Sequence, residues 1–456
     1  MKRTSIDLLH GPIVSSLLAF AWPLLLSNIF QQLYNTADIM IVGRFLGSDA
    51  LAAVGATAAI FDLIIGFALG VGNGMGIVIA RAYGAKEEDQ LKKAVAASLL
   101  IGLGLSGAVM LLGHVGLYPL LEFLGTPSAI IDQSYQYISL IVLCVAVTFA
   151  YNLAAGLLRA VGDSLAALSF LIFSALLNIV LDLYFITQLQ LGIQSAAIAT
   201  ILSQALSALL CFFYIRKKMS FLVPTPHHFV WDKSLYVDLV EQGLAMGLMT
   251  SIVSIGTVIL QSSINALGAT IISAQTTARR VMSFMVLPIT AIATAITTFT
   301  SQNFGAKQAH RILRGIRIAV GLSVSWALLA SLILYFASPA LNQLISSSTD
   351  PLLIHSASDY LRITSIFYPV LAVLLILRNS LQGLGRKMTP LISSFIELTG
   401  KILFVWVIIP YLGYLGVILC EPFLWIPMTI QLYWTFRHHP LIKMAQKGDL
   451  IPSSGR

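Results

Sequence analysis

The chain has 456 residues; 57% are hydrophobic, only 10% are charged, and the formal net charge is +8. A soluble domain carries roughly 25% charged residues, so this composition excludes a soluble enzyme of such length and also a disordered scaffold. What remains is a polytopic integral membrane protein.

Lys2 and Arg3 precede an apolar run from Ile13. That run contains Asn28, Gln31, Gln32 and Asn35, so a cleavable signal peptide is not expected. A spanning helix needs about 20 mostly apolar residues, and twelve such runs follow in order. Six lie near 13–35, 50–80, 92–113, 129–158, 165–186 and 193–215; six more lie near 236–264, 270–302, 314–337, 353–382, 389–410 and 413–436. Turn chemistry separates them, as in Gly-Thr-Pro at 125–127 and Thr-Asp-Pro at 349–351. Lipid offers no partner to bare backbone groups, and the runs are too long for barrel strands. The expected fold is therefore an all-α integral membrane protein of twelve transmembrane helices.

The hydrophilic stretch near 220–235 divides six spans from six. It reads as a cytoplasmic linker between an N-terminal lobe, 1–219, and a C-terminal lobe, 236–456. His227 and His228 are adjacent and point apart, with no carboxylate or cysteine cluster beside them, so no metal site is expected there. Cys144, Cys211 and Cys420 lie in apolar runs and read as buried small hydrophobes.

The halves repeat weakly. Tyr83-Gly84-Ala85-Lys86 echoes Phe304-Gly305-Ala306-Lys307, Leu46-Gly47 echoes Leu267-Gly268, Gly162 pairs with Gly385, and Leu191-Gly192 pairs with Leu415-Gly416. Six spans per half leave both halves in the same orientation, so the two six-helix lobes are expected to form a parallel pseudo-two-fold repeat enclosing a substrate cleft. With both termini in the cytoplasm, the inner segments collect Arg81, Lys86, Lys92, Lys93, Arg159, Arg216, Lys217, Lys218, Lys307, Arg311, Arg314, Arg317, Arg386, Lys387 and Arg437. The outer loops hold only Arg44. This bias sets the orientation and assigns the basic charge to lipid head groups, with no nucleic acid partner.

Ionisable groups inside a bilayer are costly and mark candidate sites. Asp38 lies in the first span, Asp182 follows Asn178 by four residues in the fifth, and Thr200 lies among small residues in the sixth. Positions four apart share a helix face. If these helices meet, the four side chains form an all-oxygen cluster, in which two close carboxyls share a proton or hold a hard cation. An interior hydrogen-bonded knot that only locks packing is the structural alternative. Pro23, mid-helix, removes a backbone hydrogen bond and is either a static kink or a hinge. Glu397 and Lys401 stand four apart and should pair. Gly70, Gly72, Gly74 and Gly76 lie in an apolar span without a preceding strand, and read as close helix packing, not a nucleotide loop.

The stretch Gln31-Gln32-Leu33-Tyr34-Asn35-Thr36-Ala37-Asp38-Ile39-Met40-Ile41-Val42-Gly43-Arg44-Phe45-Leu46-Gly47 resembles a motif of the multidrug and toxic compound extrusion (MATE) family, bacterial branch. Tyr83-Gly84-Ala85, its echo at Phe304-Gly305-Ala306, and Leu157-Leu158-Arg159-Ala160-Val161-Gly162-Asp163 resemble that family too. The resemblance covers essentially the whole chain. It implies no enzyme, but an exporter of organic, cationic drugs or metabolites driven by inward H+ or Na+. It carries the family's first-lobe cation site onto Asp38, Asn178, Asp182 and Thr200, and the family's bending proline onto Pro23. No cofactor is implied, nor any metal beyond Na+ at that cluster. The implied partners are a small organic substrate and the bilayer of the bacterial cytoplasmic membrane, and the implied state is a monomer.

Tyr34, Gln261, Asn265, Met282 and Met285 are candidate cleft residues; methionine surfaces tolerate many ligand shapes. A flippase of a lipid-linked precursor is the alternative function. It would use a cationic cleft, for which Arg279, Arg280, Arg362 and Arg378 are available.

Overall fold

The computed structural model describes residues 6–346 and 350–447, and among these every regular element is helical. The first half holds α1 (Ile13–Ala85), α2 (Glu88–Phe123), α3 (Ile131–Leu143), α4 (Val145–Ala160), α5 (Ser164–Thr187) and α6 (Gln194–Lys218). The second holds α7 (Lys233–Asn265), α8 (Ala269–Gly305), α9 (Ala309–Ser346), α10 (Pro351–Ser365), α11 (Tyr368–Gly383) and α12 (Met388–Leu403). It closes with the short α13 (Ile409–Leu412), α14 (Tyr414–His438) and α15 (Pro440–Lys447). Among the described residues ten segments are long and apolar enough to cross a membrane, and twelve if each of two bent helix pairs is one span, the number of apolar runs in the sequence.

Several runs differ in shape from a plain span. The first two runs are two helices that follow each other directly, grouped here as α1, with a kink at Gly47 (φ 87°, ψ −175°) between them. Glycine alone adopts that backbone without a Cβ penalty. The runs near 129–158 and 353–382 each bend, by 51° between α3 and α4 and by 56° between α10 and α11.

The repeat is visible in the turns. After α1, Lys86 has φ 60° and the Glu87 N–H donates to the Ala82 carbonyl; after α8, Lys307 has φ 57° and the Gln308 N–H donates to Asn303. Left-handed lysines are uncommon, and each here closes a six-to-one helix-ending bond. Gly162 and Gly385 (φ 91° and 75°) end α4 and α11 in the same way. One pairing differs from the sequence expectation. The conformational partner of Gly192 (φ 65°) is Gly413 (φ 55°), because Gly416 lies inside α14.

The chain divides into two compact units. The first holds Leu26–Ser251, and the second holds Asp7–Leu25 and the chain from Ile252 on. The boundaries fall inside α1 and α7, not in the stretch 220–235. That stretch belongs to the first unit: Leu222 is buried with Leu91, Val95 and Met219, and Phe221 stacks on Tyr83 at 6.0 Å. Its flanking charges hid a short apolar anchor, Phe221-Leu222-Val223. His228 contacts Asp89 (Nε2–Oδ1 3.5 Å) and caps the turn at Thr225.

Within the first unit the Gly70–Gly76 run is a helix crossing. A Cβ on Gly74 would stand 2.4 Å from the Gln242 carbonyl oxygen and 2.7 Å from the Gly243 Cα. One on Gly70 would stand 2.7 Å from the Gly247 Cα. The absent side chains let two helix backbones touch.

Candidate functional site

The first unit gathers the polar cluster from four helices. Tyr34 and Asp38 stand one turn apart on α1, and Asn178 and Asp182 one turn apart on α5. Ala196, Ala197 and Ala199, all fully buried, let α6 approach closely enough to deliver Thr200. The Thr200 Oγ1 accepts a hydrogen bond from Asn178 Nδ2 at 3.2 Å and lies 3.2 Å from the Tyr34 hydroxyl. The Asp38 and Asp182 carboxyls adjoin. All four expected residues therefore meet.

Asn178 and Asp182 are fully buried. Asp38 Oδ1, Asn178 Oδ1 and both Asp182 carboxyl oxygens are sealed and accept no hydrogen bond from another described side chain. Two adjacent carboxyls in an apolar interior cannot both stay charged without a counter-charge. A surplus of buried oxygens with few donors fits a proton or a hard cation.

Sequence reasoning missed Tyr137 of α3. It is buried and within electrostatic reach of Asp38, Asp182 and Tyr34. A tyrosine in an apolar helix looks like core, and nothing in its neighbours signals otherwise. Tyr34, expected in a cleft, belongs to this cluster through its contact with Thr200.

The second unit holds a buried ionic network. Arg279 of α8 binds Glu421 of α14 (Nη2–Oε1 2.7 Å), and Lys401 binds Glu397 one turn away on α12 (2.9 Å), the expected pair. Lys401 also stands 3.6 Å from Glu421, and Arg378 of α11 stands 3.8 Å from Glu397. A Cβ on Gly256 would lie 3.0 Å from the Lys401 Cδ, so that glycine leaves room for the lysine stem. Of the four arginines named for a lipid phosphate, only Arg279 and Arg378 share this network. Arg279 and Arg378 are paired as above, Arg362 donates to the Tyr335 carbonyl, and Arg280 is exposed.

The other cleft candidates have local partners. Gln261 donates to Asn265 at 2.9 Å on an exposed face of α7. The Met282 sulfur lies 3.7 Å from the Tyr360 hydroxyl, and the Met285 carbonyl accepts from Trp326. Pro23 is inside α1, which keeps helical dihedrals on both sides of it.

A family model described as MatE matches residues 23–184 and again residues 245–407, once in each half. The probable multidrug resistance protein YoeA of Bacillus subtilis (strain 168) is 29% identical over 392 residues, covering 84% of each chain. The FAD transporter of Shewanella oneidensis is 24% identical over 434 residues, covering 94% of this chain and 95% of that one. A crystal structure of MATE in the bent conformation superposes with a TM-score of 0.89 at 23% identity, over 98% of this chain and 99% of that one. The structural likeness shows the fold.

Proposed function

The chain belongs to the MatE family of multidrug efflux transporters, which are not enzymes, and from that premise we propose that it is a cation-coupled antiporter exporting organic compounds. The observation that carries the coupling is the first-unit cluster: two adjoining carboxyls, an amide and a hydroxyl with sealed, unpartnered oxygens.

In the proposed cycle H+ or Na+ enters from outside and neutralises the Asp38–Asp182 pair. That removes a buried charge, changes which arrangement of α1 is favoured, and lowers affinity for cargo. Coupling requires only that ion and cargo bind two states differently. Pro23 is the proposed hinge, because proline leaves the preceding turn one backbone hydrogen bond short. MATE has been solved in bent and in straight conformations, and both superpose on this chain, with TM-scores of 0.89 and 0.86. The arginine and lysine bias supports a bacterial cytoplasmic membrane location with both termini inside. We propose a monomer as the working unit, with a cationic organic compound as the first cargo to test.

The test is efflux of a fluorescent organic cation from everted vesicles under an imposed pH gradient and then an imposed Na+ gradient. Transport should follow one gradient and fall to background in Asp38→Asn and Asp182→Asn, with normal membrane levels of both variants. Full efflux by either variant refutes the assignment.

A further inference from the structure

Coupled export as proposed makes no use of the ionic network in the second unit, and that network is not charge-balanced. Arg279, Arg378 and Lys401 face only two carboxylates, Glu397 and Glu421. Asp359, the next acid, is spent elsewhere: it pairs with His355 at 3.3 Å and faces solvent at 40% exposure. Lys401 is 1% exposed and the Arg378 side chain 9%, so the surplus positive charge sits where water screens it poorly.

The hydrogen-bond inventory leans the same way. Arg279 Nε, Gln275 Nε2 and the Tyr368 hydroxyl are sealed and without a hydrogen-bond partner at close range, and Arg378 Nη2 has only its 3.8 Å ion-pair contact with Glu397; each of them can donate. Gln275 has its carbonyl oxygen taken by the Tyr414 hydroxyl at 3.0 Å, which leaves its amide N–H groups on the side of Tyr360. Gln275 is 2% exposed and Tyr368 fully buried. Tyr368 lies within electrostatic reach of Glu421 and Tyr360, and Tyr360 within reach of Arg279, so the tyrosines border the network. The carboxylate oxygens of Glu397 and Glu421 are not among the sealed, unpartnered atoms.

The first-unit cluster has spare acceptors and suits a cation. The second-unit network has spare donors and spare positive charge. We propose that the network of Arg279, Arg378, Lys401, Gln275 and Tyr368 binds a single monoanionic group. The ligand chemistry is one negative charge with acceptor lone pairs, supplied by a halide ion or by a carboxylate on the cargo. Arg279, whose side chain is 30% exposed, is the most accessible member of the network, and Lys401 and Tyr368 are buried. The site does not require the coupling role assigned to Asp38.

Purified full-length protein in lipid nanodiscs is titrated with chloride and with acetate, against isethionate at matched ionic strength, and the thermal midpoint is followed. A ligand that binds only the folded state raises the midpoint saturably. A saturable rise with chloride alone identifies a halide site; a rise with acetate, alone or at lower concentration, identifies a carboxylate site. Arg378→Gln removes the surplus charge and should weaken the apparent anion affinity tenfold or more. Glu397→Gln adds to the surplus and should strengthen it severalfold, which keeps the test decisive if Arg378→Gln does not fold. Asp38→Asn should keep the wild-type response, so a failure of ion coupling and a failure of the anion site read out separately. No saturable rise with either anion, or equal responses in wild type and both network variants, overturns the proposal.

Discussion

Two adjoining carboxyls make Asp38 and Asp182 sensitive to a single charge, because nothing basic among the described residues hydrogen-bonds either one. Outside the spans, His439 shows the opposite logic. It is buried between α14 and α15, its Nδ1 is unpartnered, and burial, followed by the charge of Arg386, pushes its pKa down to about 4. Between about pH 6.5 and 4 the unfolded chain therefore binds more protons than the folded one. The neutral ring's contribution is complete above about pH 6.5 and is lost as pH falls through about 4. Allowing for partial solvent screening, the loss is on the order of 1–2 kcal/mol. Thermal midpoints of wild type and His439→Gln should converge as pH falls from 7 to 4.5; parallel curves would refute the assignment. Intramembrane charge made Asp38 and Asp182 legible in sequence, since an acid in lipid needs a reason; Asn178 followed from its four-residue spacing to Asp182, and Thr200 from its small-residue surroundings and the family resemblance. Glu421 was equally visible, but its partner Arg279 lies 142 residues upstream, and no local spacing connects them.

At the level of helices, close approach without side chains decides where α1 meets α7. Gly74→Ala would drive a methyl group to 2.4 Å from a backbone oxygen, and backbone cannot swing aside as a side-chain end can. Overpacking of this kind costs about 1–3 kcal/mol. Gly104 has open space around its missing Cβ, so Gly104→Ala should be neutral or stabilising by about 0.5–1 kcal/mol through helix propensity. Thermal midpoints of the two purified variants should move in opposite directions; a stable Gly74→Ala protein would mean the crossing is not tight. The glycine pattern on α1 was legible as packing because no strand precedes it. Its partner was not, since Gly243 and Gly247 sit on a helix that composition assigns to the other half. The bend after α3 was illegible for a related reason: no proline or glycine marks the break at Cys144. The bend after α10 did carry a signal, Pro369 in the first turn of α11, where a proline cannot continue the preceding ladder.

Across the whole molecule the strongest sequence signal is where the positive charges are, and it also fixes what can be tested in an intact cell. The repeat puts equivalent left-handed lysines, Lys86 and Lys307, after α1 and α8. It puts left-handed glycines upstream of them, Gly47 at the kink within α1 and Gly268 at the start of α8. In the proposed orientation the lysine end is cytoplasmic, because anionic lipid and the insertion machinery retain basic loops inside. A chain with Cys144, Cys211 and Cys420 replaced by alanine can carry one new cysteine at Ser48 or at His310, both exposed. A membrane-impermeant thiol reagent applied to intact cells should label Ser48→Cys and leave His310→Cys unlabelled until the membrane is opened. The reverse pattern would invert the topology and move the entry side of the Asp38–Asp182 site with it.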